Sequence, residues 1–233
     1  MQCPRCGAEV RDSERNCAVC NHDCGYPNVR AAQSREEQDA LAQRHQAAEA
    51  SATARGCIDV FTQFRQAVRS SRAVLCRWLS QVLQLVSNDN ELYASFYQLV
   101  GMGARRPEDT VTERERLLAD DLLFPHYRDQ IRFAALSLDG LGAKGYGDCS
   151  LVLRDIAIRD RTTVFEENSL YFCRDRGLGV GRPVPPGYRA VWDERDQLAV
   201  AKLEPLLLPG IRSRDFPGVL LRVSGKPPRE DFV

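Results

Sequence analysis

Histidine is scarce in this chain, which has three among its 233 residues: His22, His45 and His126. The sequence also lacks an HExxH zinc-protease motif, a GxSxG nucleophile elbow, a GxxxxGK[ST] phosphate loop and an HxE motif followed by PCxxC. Enzymes that depend on those local motifs are therefore excluded, and imidazole-based catalysis is disfavoured.

Long apolar runs are also missing. No uninterrupted apolar stretch approaches the ~20 residues that span a bilayer, and no charged segment with an apolar run precedes the first cysteines. We therefore expect a cytoplasmic protein with no membrane partner. Basic and acidic side chains balance at 32 each, and this zero net charge argues against a broad electrostatic clamp on nucleic acid.

Cysteine, in contrast, is concentrated at the start of the chain. Cys3 and Cys6 form one CxxC pair, and Cys17 and Cys20 form a second pair ten residues further on. Zinc prefers four thiolates in a tetrahedron, and a CxxC turn directs two sulfurs at one ion. In a reducing compartment such pairs bind metal more often than they form disulfides. The spacing predicts a zinc ribbon.

A fifth cysteine leaves the ligand set open. Cys24 lies four residues after Cys20 and is followed by Gly25, so this pair can also form the second knuckle, and His22 is within reach. The set of Cys3, Cys6, Cys17 and Cys20 is favoured over these variants. The remaining cysteines stand singly among apolar neighbours and are interpreted as packing residues: Cys57, Cys76, Cys149 and Cys173.

Composition divides the chain into three parts: a zinc ribbon over residues 1–27, a helical segment over 28–125 and an α+β domain over 126–233. The stretch from Val29 to Val86 is predicted to be almost entirely helical with a break at Gly56, because helix formers dominate before it and apolar residues recur every three to four positions after it. A further short helix is predicted over Arg114–Leu123.

Short apolar runs bounded by Gly, Asp or Pro characterise the C-terminal part. The segments IRFAALSL, CSLVLRDIAI, RTTVFEEN and PGVLLRVSG are predicted strands, and YRAVWDERDQLAVAKLEPLL has the spacing of one amphipathic helix. The expected fold class is α+β, with a mixed or antiparallel sheet.

The order of motifs in this part resembles that of ADP-ribosyltransferase toxins. YGDCSLVLRD is similar to the YG-initiated strand of that family, and RDRTTVFEENSLYF is similar to its following TTF-like strand and Asx-Ser pair. The likeness covers roughly residues 131–233. It implies a split sheet that binds NAD as a substrate.

The resemblance also implies roles for particular residues. Arg132 or Ser137 on the first strand, and Arg161, Thr162 and Thr163 at the second, take the positions that contact the dinucleotide. Glu166 or Glu167 then stabilises the oxocarbenium-like transition state as nicotinamide leaves. The family usually carries its catalytic glutamate on a strand after a segment like EDFV, whereas this chain stops at Val233 with Glu230 and Asp231 as its acidic near-matches. Three alternatives stay open on this point: a truncated domain, an inactive domain, or a chain outside the family.

Two functions follow from these patterns. In the first, the chain is an NAD-dependent ADP-ribosyltransferase whose zinc ribbon positions a target, which is a protein or a nucleic acid. In the second, it is a non-enzymatic adaptor in which the ribbon binds protein or nucleic acid and the long helices mediate assembly. A zinc ribbon occurs in both classes of protein and does not choose between them.

Overall fold

The computed structural model describes residues 1–87, 95–101, 103, 110–179 and 184–224. Within these residues the chain combines helices, two small antiparallel sheets and an N-terminal cysteine cluster, which agrees with the predicted α+β class. Glu230 lies outside the described residues.

The helices and strands follow one another in an irregular order along the chain. They are α1 (Pro27–Ala32), α2 (Arg35–Ala54), α3 (Ile58–Arg69), β1 (Arg72–Arg77), α4 (Leu79–Ser87), α5 (Phe96–Gly101), α6 (Thr110–Leu123), β2 (Ala135–Ser137), β3 (Cys149–Val152), α7 (Asp155–Ile158), β4 (Thr163–Phe165), α8 (Ser169–Asp175), β5 (Arg189–Val191), α9 (Arg195–Leu203) and α10 (Phe216–Ser224). Short 3₁₀ turns cover Arg128–Gln130, Lys144–Tyr146, Trp192–Glu194, Glu204–Leu206 and Ser213–Asp215.

Both sheets are antiparallel. Three strands pair in the order β2-β1-β3, with Ala73 opposite Leu136 and Leu75 opposite Leu151. The second sheet is the pair β4-β5, in which Val164 lies opposite Ala190. The predicted strands at 131–138, 149–158 and 161–168 are therefore present in shorter form.

The prediction that Val29 to Val86 is almost entirely helical is wrong at one segment. The break at Gly56 is present, with φ of +67°, but α3 ends at Arg69 and β1 follows as the central strand of the three-stranded sheet. Residues 73–76 of β1 are all buried. A strand that is covered on both faces has a continuous run of apolar residues. In this sequence the apolar residues of β1 follow those of α3 at similar intervals, so β1 looks like a continuation of the helix.

The predicted strand PGVLLRVSG is instead the helix α10. Its buried residues Phe216, Val219 and Leu220 are spaced three and four apart, as one face of a helix requires. Pro217 fits the first helical turn, where its missing N–H costs nothing. The β-branched residues of this segment favoured a strand in the sequence. In the structure the segment is a helix, because its apolar face packs against the core.

The predicted single helix over residues 188–207 is also wrong in part. Its first residues form β5, a 3₁₀ turn follows, and only Arg195–Leu203 is α-helix. The segment after β4 also differs from its prediction as part of a strand. Glu166 and Glu167 lie beyond the strand, and Asn168 caps helix α8 by accepting a hydrogen bond from Leu170 N at 3.1 Å.

One core joins the helical segment to the C-terminal part. Buried residues of α2 and α3 pack against buried residues of α9 and α10: Ala48, Ala52, Phe61, Phe64, Val68, Ala199, Val200, Leu203, Phe216, Val219 and Leu220. The cysteine cluster has a small core of its own, built on Cys3, Val10 and Cys17. Residues on both sides of position 125 therefore share one core.

Candidate metal centre and adjoining cavity

The first CxxC pair lies in a tight turn. Cys3 N donates to Ala8 O at 2.8 Å, and Gly7 N donates back to Cys3 O at 2.9 Å. Gly7 has φ of +74°, a conformation that glycine adopts without strain. This turn brings the sulfurs of Cys3 and Cys6 to one side.

The second pair repeats this geometry. Cys17 N donates to His22 O at 2.9 Å, and Asn21 N donates to Cys17 O at 2.8 Å. Asn21 has φ of +55° and takes the place of Gly7, since asparagine tolerates left-handed backbone better than most residues. The second knuckle is therefore formed by Cys17 and Cys20.

The four sulfurs converge on one point. Cys3 Sγ lies 3.6 Å from Cys20 Sγ, Cys6 Sγ lies 3.6 Å from Cys17 Sγ, and all four lie within 4.8 Å of one another. A tetrahedral zinc ion with bonds of about 2.3 Å places its sulfurs about 3.8 Å apart. The cluster, called the knot below and comprising residues 1–25, can therefore hold a metal ion such as zinc.

The backbone around the sulfurs favours thiolates. Burial acts to raise the pKa of Cys3, but the N–H groups of Arg5 and Cys6, together with the thiols of Cys20 and Cys6, outweigh it and lower that pKa to about 6. For Cys17, the N–H groups of Cys20 and Val19 likewise lower the pKa. Amide groups aimed at sulfur stabilise its charged form, the form that binds metal.

Cys24 and His22 lie outside this set of four. Cys24 is half-buried beside the cluster, where its thiol lies 3.5 Å from His22 O, and burial raises its pKa. His22 contributes its carbonyl oxygen to the second knuckle. The geometry thus favours the four-cysteine set over the variants that include either residue.

A large cavity lies beside the knot. Its volume is about 880 Å³, within the range of about 300–1,000 Å³ that is usual for ligand pockets. Residues of both sheets, of α6 and of α9 line it, together with knot residues Ser13 and Arg15 and the adjacent Tyr26 and Asn28. Aromatic side chains contribute much of the apolar wall: Tyr26, Phe124, Tyr127, Phe133, Tyr146, Phe165 and Trp192.

Most of the residues assigned to NAD line this one cavity. They are Arg132, Arg161, Thr162, Thr163, Glu166 and Glu167. Ser137 does not line it: its buried hydroxyl donates to Asp139 Oδ1 at 2.7 Å and accepts from Gly142 N at 3.1 Å. Ser137 therefore stabilises the turn after β2, and its assignment as a dinucleotide contact has no support from its position.

Glu166 is the centre of a buried ionic network. Its side chain is fully buried; one oxygen accepts from Arg44 at 2.6 Å, and the other accepts from Arg176 and lies 3.7 Å from Lys202 Nζ. The Arg44 and Arg176 guanidinium groups also stack on the ring of Tyr188, with centroid distances of 3.8 Å and 3.7 Å. These contacts fix Glu166 in place as a structural anion.

Glu167 is in a different position. Its side chain is 18% exposed, and its Oε2 lies 3.4 Å from Lys202 Nζ at the cavity wall. One partly solvated ion pair leaves most of the hydrogen-bonding capacity of this carboxylate available to a ligand. Of the two predicted catalytic glutamates, Glu167 is the one whose side chain is partly exposed.

Two further lining residues were not identified from the sequence. Arg154 is exposed, follows β3 and lines the cavity. Asp120 on α6 is 1% exposed; Tyr97 donates to it at 2.6 Å and Ser169 at 2.8 Å, and burial raises its pKa. In the sequence, Asp120 could have been identified as an acidic residue next to the apolar positions of α6. The adjacent Asp121 made the two residues look like an ordinary polar pair.

The charge of the cavity is mainly positive. Of the described residues that line it, eight are basic and three are acidic. Among the ion pairs of the described residues, none involves Arg154 or Arg161. Guanidinium groups without a carboxylate partner in a concave site favour an anionic ligand, phosphate above all.

Comparison of the chain with protein-family models, with curated proteins and with solved structures found no match. Within the parts of the chain that the structure describes, no helix combines the length and apolar character needed to cross a bilayer.

Proposed function

We propose that the cavity binds NAD and that the chain transfers ADP-ribose from it, with a zinc ion in the knot. The observation that carries this proposal is the convergence of Arg161, Arg154 and Glu167 on one cavity of about 880 Å³ lined by aromatic rings. A dinucleotide carries two phosphates and two aromatic rings, and this wall offers a partner for each kind of group.

The basic side chains bind the diphosphate in this proposal. Arg161 and Arg154 flank the short helix α7, one at each end, and both line the cavity. A guanidinium fork pairs with phosphate oxygens in a bidentate manner. Thr162, half-buried on the same wall, supplies a hydroxyl for a neutral hydrogen bond to the ligand.

Glu167 then acts on the transition state. As the bond between nicotinamide and ribose C1′ breaks, positive charge develops on the ribose, and a carboxylate fixed beside it stabilises that charge. Lys202, 3.4 Å away, holds Glu167 in one orientation. Nicotinamide leaves as a neutral molecule, and the ADP-ribosyl carbon bonds to the acceptor, which gives up a proton to solvent.

Zinc is the metal that best fits the knot. Four sulfurs at tetrahedral distances and no open coordination position are typical of a structural zinc site. The ion would supply folding free energy to a segment whose own core is too small to keep it folded, and it takes no part in the transfer.

Nicotinamide release from NAD tests the proposal directly. We expect the full chain to release nicotinamide, and we expect Glu167→Gln to reduce kcat by at least tenfold with KM nearly unchanged, because the carboxylate acts mainly on the transition state. Glu115→Gln, an exposed change on α6 outside the cavity, is the matched control. A non-enzymatic adaptor would release no nicotinamide under any of these conditions.

A further inference from the structure

The knot is fastened to the helix that follows it. Arg30 on α1 donates to three knot carbonyl oxygens: those of Glu14 at 2.7 Å, Gly25 at 2.9 Å and Arg11 at 3.0 Å. Helix α1 has only six residues, and its N-cap Tyr26 makes no side-chain hydrogen bond to the first turn. Arg30 therefore ties α1 to the knot, in addition to the packing of the buried Val29 and Ala32 on its other side.

Asn28, in the first turn of α1, reaches across to β4. Its amide Nδ2 donates to the main-chain oxygen of Arg161 at 3.1 Å and lies 3.3 Å from Thr163 Oγ1. The ring of Tyr26 lies beside the same arginine, with a distance of 5.6 Å from the ring centroid to Arg161 Cζ. Two residues next to the knot thus hold the wall that presents Arg161 to the cavity.

Metal must order this connection. The knot buries only Cys3, Val10 and Cys17 in its own core, too little apolar surface to keep the segment folded without an ion. We expect that loss of the ion frees the carbonyl groups that Arg30 binds and loosens the first turn of α1. Asn28 would then hold residues 161–163 less firmly.

We propose that Asn28 is a positioning residue that couples the metal in the knot to ligand binding in the cavity, a step that rests on the proposed function. Metal in the knot holds Asn28, Asn28 holds the backbone at Arg161, and Arg161 binds the anionic ligand. Coupling of this kind is reciprocal, so a ligand in the cavity raises the affinity of the knot for zinc by the same factor.

Hydrogen exchange measures the first half of this coupling without any ligand. We expect removal of zinc by a chelator to accelerate amide exchange at residues 161–165 by roughly fivefold to tenfold, the effect of losing one or two hydrogen bonds. Asn28→Ala should keep its zinc and show the faster exchange already, with little further change on chelation. Asn28→Asp, which keeps the shape but loses the N–H donors, should behave similarly.

Asn16→Ala is the matched control. Asn16 is exposed on the knot, and its side chain bonds to Asn21 and not to β4. We expect this variant to respond to the chelator as the unaltered protein does. Unchanged exchange at 161–165 when zinc leaves the unaltered protein would overturn the proposal.

Calorimetric titration with NAD measures the second half. We expect zinc removal or Asn28→Ala to weaken NAD binding by fivefold or more, while the cooperative thermal unfolding of the main core stays unchanged. Equal NAD affinity with and without zinc would overturn the coupling and leave the proposed function standing. No NAD binding in either form would overturn the proposed function, and the ligand side of the coupling with it.

Discussion

The carboxylate of Glu166 accepts a hydrogen bond from Arg44 Nη2 at 2.6 Å, and this pair joins α2 to the turn after β4 across 122 residues of sequence. The Glu166 side chain is fully buried, whereas that of Arg44 is 22% exposed. Removing one partner of such a pair leaves the other charge without compensation. The contact is therefore part of the framework that shapes the cavity.

We expect Glu166→Gln to lower the free energy of unfolding by about 3 kcal/mol, because Arg44 and Arg176 lose a shared buried anion. Urea denaturation followed by circular dichroism measures this change. Glu167→Gln is the comparison, and its partly exposed pair with Lys202 predicts a loss of about 0–1 kcal/mol. Equal stability losses in the two variants would contradict the assignment of separate roles.

The knot should hold one zinc ion per chain. We expect metal analysis of protein purified under reducing conditions to give one equivalent, and Cys6→Ser to lose it, because three thiolates hold zinc far less tightly than four. The knot should then unfold while the main core stays folded. Cys149→Ser, a half-buried cysteine outside the knot, is the control and should keep its zinc. Protein without zinc would contradict this prediction.

The sequence predicted the knot well because its determinants are local. Two CxxC turns, Gly7 and the spacing between the pairs lie within twenty residues. The strand β1 was missed because its character depends on β2 and β3, which pair with it from more than fifty residues away. The ion pairs of Glu166 were not predicted, because its partners Arg44 and Arg176 come from distant or unremarkable positions.

The contact between Phe64 on α3 and Phe216 on α10 tests whether these two helices share one core. Their rings are edge to face with centroids 5.2 Å apart. We expect each alanine substitution to cost about 3–5 kcal/mol in the free energy of unfolding. The double variant should cost less than the sum of the two, by roughly 0.5–1.5 kcal/mol. Strict additivity in a denaturation series would show that the two helices do not pack together.

His45 on α2 makes the stability depend on pH. It is buried against Phe61, near Glu49, Arg65, Arg69 and Asp196, and burial, aided by Arg65, lowers its pKa.

A histidine kept neutral in the folded state binds its proton more readily when the chain unfolds, so this residue destabilises the fold as pH falls below about 6.5. We expect stability to rise between about pH 5 and pH 7 and then level off. His45→Leu should remove part of that slope in thermal melts, whereas the exposed change His126→Asn should retain it. Identical slopes in the unaltered and His45→Leu proteins would contradict this.

Calorimetric titration of NAD into the full, zinc-loaded chain measures whether the cavity binds NAD through Arg161. We expect one NAD per chain and a loss of at least tenfold in affinity for Arg161→Glu, since a phosphate contact becomes a repulsion. Arg159→Glu, two residues away but outside the cavity lining, should bind NAD normally. No heat of binding in the unaltered chain, or equal affinity in the Arg161→Glu variant, would contradict the account.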